Sequence, residues 1–377
     1  MKKSLYILFV ILLVTLLALP AFATESLLNL AGNGARAAGM GYAFTGVADD
    51  ATAISWNAAG LTQLYNMEAS VIARFGFGSF SYDGWDGAPD VEYDSKFQLN
   101  FASFVFPFSI GRFNIVGGVA YRNIYDFNKE LTWKWDVGDE ISGSEGGVNA
   151  ISPSIGIQLN NMFSFGATMN IYMGSLKTHY SNESTGSNYE DGPINFSGTS
   201  FDLGILVRPS SRFSVGANLN FPNKLKTEYE GNEDELDVPF FFSVGGAFRA
   251  TDQLLIALDY FSRPWSSSDE YKDEDNKDQY DLNSFHVGLE YLITSGNMVI
   301  PIRLGYYTNP LFGTTDKDDK QVVDNVFTAG LGLVMKSIII DGAIEYEPST
   351  LEFTDTVSIN QSIFRVTIGA TIHFGQN

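Results

Sequence analysis

The sequence predicts an all-β fold, a 14-stranded antiparallel transmembrane β-barrel with an N-terminal hatch (plug) in its lumen. Three observations predict it. The chain opens with a secretory leader, most of it alternates apolar and polar side chains with a period of two, and the stretches between are short and long in turn. An even strand count with short turns at one end and long loops at the other is the plan of an outer-membrane barrel. A bilayer tolerates no unpaired sheet edge, so such a sheet must close on itself.

The leader comes first. Lys2 and Lys3 form a basic end, Leu5 to Leu19 an apolar run, and Ala21-Phe22-Ala23 a small-residue cleavage site. Residues 1–23 are expected to be a signal peptide cleaved near Ala23, which sends the mature chain to the outer membrane of a bacterium.

Residues 24–66 are expected to form the hatch. Within them the stretch GNGARAAGMGYAFTGVADDATAISWNAAGLTQLY is dense in Gly and Ala, and it carries Arg36, Asp49, Asp50, Trp56 and Asn57. It is too small-sided to build a core of its own and too apolar to be a free linker. Small side chains let a backbone lie close against something else, so a larger structure must enclose it.

Residues 67–377 supply the enclosure. In the last strand Phe364, Val366, Ile368, Ala370, Ile372 and Phe374 point one way, and Arg365, Thr367, Gly369, Thr371 and His373 the other. The pattern recurs at 163–171 and 213–221. Strands are predicted over 67–82, 96–109, 113–135, 148–159, 163–180, 197–208, 213–229, 238–249, 254–266, 282–293, 299–308, 322–334, 338–350 and 361–374. Short turns fall near Gly111, Asn160, Ser210, Thr251, Ser295 and Lys336. Long acidic loops are expected at 83–95, 136–147, 181–196, 230–237, 267–281, 309–321 and 351–360. The acidic stretch 266–281 lacks the D-x-D-x-D-G order of a calcium loop and reads as a solvated outer loop. Cations could bridge such loops to lipopolysaccharide and other outer-membrane lipid.

Composition narrows the function. There is no cysteine, hence no disulfide and no thiolate chemistry. A net charge of −21 argues against nucleic acid as a partner. Aromatics at 14%, with 37 Gly and 30 Phe, suit tight turns and an aromatic outer face. The three histidines fall on different predicted strands, and no G-x-S-x-G, H-E-x-x-H or phosphate-binding loop occurs. No catalytic residue, metal or cofactor is assigned, and an enzyme is not expected.

The stretch Gly34-Ala35-Arg36-Ala37, Gly39-Met40-Gly41, Val47-Ala48-Asp49-Asp50-Ala51 and Trp56-Asn57-Ala58-Ala59-Gly60-Leu61 resembles the hatch of the FadL/TodX family of outer-membrane transporters of long-chain fatty acids and hydrocarbons. That family's hatch has Asn-Pro-Ala where this chain has Asn57-Ala58-Ala59, so the proline is missing. The region from Ile302-Arg303-Leu304-Gly305 through Pro310 and Asp324 to Gly332 is similar to its late strands. The resemblance implies passive transport of a hydrophobic small molecule such as a long-chain fatty acid. It also implies a gating role for Gly34, Arg36, Gly39, Gly41, Asp49, Asp50, Asn57, Ala58 and Ala59. PorV-like barrels share a similar N-terminal stretch, which leaves open the alternative of a docking barrel with a secretion-system protein partner. The plug argues against a plain diffusion porin.

In the predicted register the inward face carries Arg74, Arg122, Asp202, Arg208, Arg249, Asp259, His286, Glu290, Arg303, Asp341, Glu345 and Arg365. These should pair with each other and with the hatch, because a buried unpaired charge is costly. Phe104, Phe106, Phe241, Leu206, Leu255 and Leu292 also read as inward, and Phe75, Phe77, Phe101 and Phe163 as lipid-facing. Phe104, Phe106, Phe241, Arg303 and Arg365 are the candidate ligand contacts, the arginines because their fork matches a carboxylate.

Overall fold

The period-two alternation becomes one continuous antiparallel sheet. A computed structural model of the chain describes residues 32–274, 277–296, 298–352 and 354–375; the leader and its cleavage site lie outside the described residues. Eighteen ladder segments make fourteen strands, because four strands are each interrupted once among the described residues. The strands are β1 (Met67–Asp83), β2 (Asp90–Asp94 and Gln98–Ile110), β3 (Phe113–Asp126 and Lys129–Trp135), β4 (Gly138–Gln158), β5 (Phe163–Asn182), β6 (Ser187–Ser210), β7 (Phe213–Asn220 and Asn223–Tyr229) and β8 (Asn232–Val238 and Phe241–Arg249). They continue as β9 (Leu254–Ser262), β10 (Ser284–Ser295), β11 (Met298–Thr315), β12 (Gln321–Met335), β13 (Ile338–Glu352) and β14 (Ser358–Phe374). The barrel closes between its first and last strands, in register from Met67 opposite Phe374 to Asp83 opposite Ser358.

Turns of two to four residues join the strands at one end, at the six places the sequence marks. The other end differs from expectation. Most of the predicted long loops are strand, because β3 and β4, β5 and β6, and β7 and β8 run on past the apolar band as polar hairpins closed by short turns at 136–137, 183–186 and 230–231. Among the described residues only the connection between β9 and β10 stays long, holding two short 3₁₀ turns at Trp265–Ser267 and Lys277–Tyr280.

Outward side chains sort into two aromatic belts, as a lipid-facing surface does at its two interfaces. At the hairpin end Phe242, Tyr260 and Phe285 follow one another as tilted rings with centroids 6.2 and 4.9 Å apart, and Phe77, Phe364 and Tyr346 stack at 5.5 and 4.8 Å. At the short-turn end Phe104, Phe106 and Phe108 form a ladder at 6.3 and 5.8 Å. This corrects the sequence reading of β2. Phe104 and Phe106 are 42% and 44% exposed on the outer surface, whereas Phe101, expected to face lipid, is fully buried inside. The cause is a bulge. The β1–β2 ladder skips Asn100, so Leu99 and Phe101 lie opposite the neighbours Ala73 and Ile72. One extra residue reverses every side chain beyond it. The twelve predicted inward charges do point inward, with nine of them buried.

Inside, ten strands place a glycine at one level: Gly118, Gly156, Gly166, Gly204, Gly216, Gly245, Gly288, Gly305, Gly330 and Gly369. Residues before β1 fill this collar as two short helices, α1 (Ala35–Gly39) and α2 (Ala53–Trp56), and a 3₁₀ helix over Ala58–Gln63. The fit is backbone to backbone. A Cβ built on Gly288 would lie 2.6 Å from the Met40 carbonyl oxygen, and one on Gly156 2.8 Å from that of Ala58. The Gly/Ala density of the N-terminal stretch and the barrel glycines are therefore two halves of one contact.

Candidate functional site

The N-terminal segment is bonded to the wall around its circumference. On one side Asn33 Nδ2 donates to the carbonyls of Asn100 and Asn123, at 3.0 and 3.1 Å. Asn100 is the bulged residue of β2, and Asn123 precedes a second irregularity in β3, so the segment completes hydrogen bonding where the ladder is broken. Along β5 and β6, Thr62 Oγ1 donates to Ser164 Oγ at 2.9 Å and Asn57 Nδ2 to the Ile205 carbonyl at 2.9 Å. On β9 the Asp259 carboxylate accepts from the amides of Phe44 and Thr45, at 2.8 and 2.6 Å. On β10 His286 Nδ1 donates to the Gly41 carbonyl at 2.7 Å, while its Nε2 accepts from Ser284. Gly41 sits at φ +59° and its Cα faces the β11 backbone, so glycine is required there on both counts.

Asn57 is the knot of the segment itself. Its Nδ2 also donates to the Thr45 carbonyl at 3.0 Å, and its Oδ1 accepts from Ala59 N at the start of the 3₁₀ helix. The backbone of Ala58 and Ala59 lies against Gly156, Gly166 and Gly204, where a Cβ on the wall would collide with it. Asn57→Ala is expected to strand two buried carbonyls and one amide, a loss of about 2–3 kcal/mol, read as faster amide exchange over residues 45–60 with the barrel strands unchanged.

Above the segment, toward the hairpin end, lies a cavity of about 140 Å³. Tyr42 and Trp56 form its floor, stacked 5.6 Å apart, and Phe241, Phe261 and Tyr307 its sides. Four arginines reach it. Arg74 lies 3.5 Å from Glu345, Arg365 is 2.5 Å from Glu347, and Arg122 donates to Asn170 at 2.9 Å with Asp202 beyond at 3.8 Å. The fourth is Arg263, whose guanidinium lies 5.7 Å from the centre of the Phe261 ring. Among the described residues no carboxylate pairs with it. The cavity thus mixes these aromatic rings with polar side chains such as Asn218, Asn220 and Ser243, and holds one cation without a carboxylate paired to it among the described residues.

Below the segment, toward the short turns, is a second cavity of about 460 Å³. A chain of charges crosses its roof. Arg36 donates to Asp49 at 2.5 Å and to both oxygens of Glu290, at 2.8 and 2.9 Å; Arg303 donates to Glu290 at 2.7 Å and to Asp341 at 2.6 Å. Asp50 stands 3.6 Å from Arg36.

The sequence-stated candidates divide accordingly. Gly34, Arg36, Gly39, Gly41, Asp49, Asp50, Asn57, Ala58 and Ala59 all lie on the enclosed segment, and Phe241 and Arg365 both line the upper cavity. Arg303 does not line it. Its guanidinium is held below by Glu290 and Asp341, because β12 presents glycines at 330 and 332 and leaves the way open to β13. Phe104 and Phe106 lie outside the barrel. Arg263 was missed, though it is the next inward position after Leu255, Ala257, Asp259 and Phe261.

No family model and no curated sequence matches the chain. Solved structures do. The Pseudomonas putida toluene transporter TodX aligns over 93% of this chain and 100% of its own, at 13% identity and a TM-score of 0.65. The fold is that of the FadL/TodX channels. The Ralstonia pickettii toluene transporter TbuX matches over 92% and 100% at 13% identity with a TM-score of 0.62, and a Pseudomonas aeruginosa FadL homologue over 92% and 99% at 14% and 0.60. At these identities the FadL/TodX likeness is one of architecture, and any ligand assignment has to come from this chain's own residues.

Proposed function

We propose that this protein is an outer-membrane channel that admits hydrophobic small molecules with an acid headgroup, long-chain fatty acids in particular, and that residues 32–66 are its hatch. The observation that carries the reading is Arg263, a cation without a carboxylate partner among the described residues, set beside Phe261 in an aromatic cavity. A carboxylate on an apolar chain supplies what that site lacks: two hydrogen bonds to the guanidinium fork and a body for Phe241, Phe261 and Trp56 to cover. Toluene, for which TodX and TbuX are named, has no headgroup and would leave Arg263 unmatched. The collar contact closes the lumen below the cavity, so passage requires the hatch to shift. Partition down a gradient is the driving force, and the site must bind well enough to capture and weakly enough to release.

The test is native mass spectrometry of the purified barrel, with bound small molecules extracted and identified. A stoichiometric apolar acid displaced by added oleate is the expected result. A barrel empty of ligand but carrying a protein would overturn the transport reading in favour of a docking role.

A further inference from the structure

Resting on the proposed function, we infer that the lower cavity is a second acid site, in which Arg249 takes the headgroup of a long-chain acid and an apolar shelf on β10–β13 takes its tail. The cavity, at about 460 Å³, falls within the roughly 300–1,000 Å³ of small-molecule sites. Its walls are unequal. Leu292 and Pro301 face each other across the β10–β11 ladder, and Val299, Val334 and Ile339 stand in one row across β11, β12 and β13. All five line the cavity, and all but Pro301 are only half-buried. They lie below α1, whose Gly39 touches Gly330 farther up β12. A barrel mouth open to water carries polar groups on its inner face. The neighbouring wall obeys that rule: Thr371 follows Ile339 in the same row on β14, and Asn114 and Gln158 face each other on β3 and β4. Apolar side chains gathered on four adjacent strands at such an opening mark a place for an apolar guest.

The charges of the cavity leave one cation for that guest. Arg36 and Arg303 hold Glu290 between them, while Asp49 is bound to Arg36 and Asp341 to Arg303. Asp50 accepts from the Thr52 amide at 2.9 Å, and Glu68 accepts from the Ala51 amide at 2.9 Å and stands 3.3 Å from His373. Arg249 lines the same cavity, and among the described residues no carboxylate pairs with it. An acid supplies the two hydrogen bonds its fork can make, and an alkyl tail laid on the shelf takes that surface out of water. The lining of the upper cavity carries four arginines and one carboxylate, Asp126, whereas that of the lower carries three arginines and five carboxylates. An anion is therefore held more loosely below than above, as a site of release requires.

The test is photolabelling of the full-length mature barrel in detergent with a long-chain fatty acid bearing a diazirine near its tail end, mapped by peptide mass spectrometry. Label is expected on the peptides holding Leu292, Val334 and Ile339, at probe concentrations at least tenfold above those that label Phe241 and Phe261. Arg249→Leu should cut the lower label at least fivefold and leave the upper label within twofold. Ile339→Asn should do the same, and both variants should keep the heat-dependent gel migration of the parent. The methyl ester of the probe, which has no anion, should label the lower peptides equally in the parent and in Arg249→Leu. Label confined to the upper cavity, or a lower label indifferent to Arg249, would overturn the inference and leave the proposed function standing. Lower label lost in Arg249→Leu, with no upper label at all, would uphold the lower site and count against the proposed function alone.

Discussion

Arg263→Leu is expected to lower affinity for oleate about tenfold to a hundredfold, and to leave the affinity for toluene unchanged. The magnitude follows from removing a charge-assisted hydrogen-bonding partner, worth about 1.5–3 kcal/mol. The selectivity follows from geometry. Arg263 is near Phe261 rather than in the ladder, and its guanidinium holds no wall residue that would collapse without it. Titration calorimetry on the detergent-solubilised barrel measures both ligands on one preparation. Arg263→Lys should retain part of the oleate affinity, because the charge persists while the planar fork is lost. Equal losses for oleate and toluene would mean that the side chain only shapes the cavity, and the acid headgroup would drop out of the proposal.

The second large effect belongs to the collar. Gly288→Val puts two methyl groups where the Met40 carbonyl oxygen already lies 2.6 Å from a Cβ, and where the Met40 Cβ lies 2.9 Å away. Neither neighbour can give, since one is backbone and the other is fixed by the His286–Gly41 and Thr328–Gly39 bonds beside it. Overpacking of a tight site costs about 1–3 kcal/mol, and here loss of the adjoining bonds adds to it. The hatch is expected to leave the collar while the barrel stays closed, because Gly288 pairs normally with Ala257 and Gly305 through its backbone. Limited proteolysis should then cut within residues 32–66 in the variant and not in the parent, with heat-dependent gel migration of the barrel unchanged. A hatch that remains protected would show that the collar has slack.

Much of this architecture was legible in the sequence because membrane strands have a single simple rule. Period-two alternation located the fourteen strands, and it put all twelve inward charges on the correct face, Glu290 and Arg303 among them. Two failures have physical causes. The bulge at Asn100 leaves no trace in the alternation, since Phe occupies both parities of β2, and so Phe101 and Phe104 were exchanged. The polar hairpins beyond the apolar band look like loops because neither face meets lipid there and the alternation fades. Partnering was less legible than facing. Nothing local told that Arg303 would be claimed by Asp341 across a glycine strand, whereas Arg263 was within reach of the same parity count that found Asp259.

The aromatic belt at the hairpin end also fixes how deep a guest sits. Phe242, Phe285 and Tyr306 of the belt alternate along their strands with Phe241, Ser284 and Tyr307 of the upper cavity, so inner and outer residues share one level. Arg263 stands just past Tyr260 and therefore at the height of the lipid headgroups. An amphiphile crossing from the leaflet to the cavity would keep its acid group at the water boundary and its tail among hydrocarbon. Under the proposed function such a crossing would involve no vertical displacement and no dehydration of the headgroup beyond what Arg263 replaces, and the first vertical step of the journey would be the one past residues 32–66.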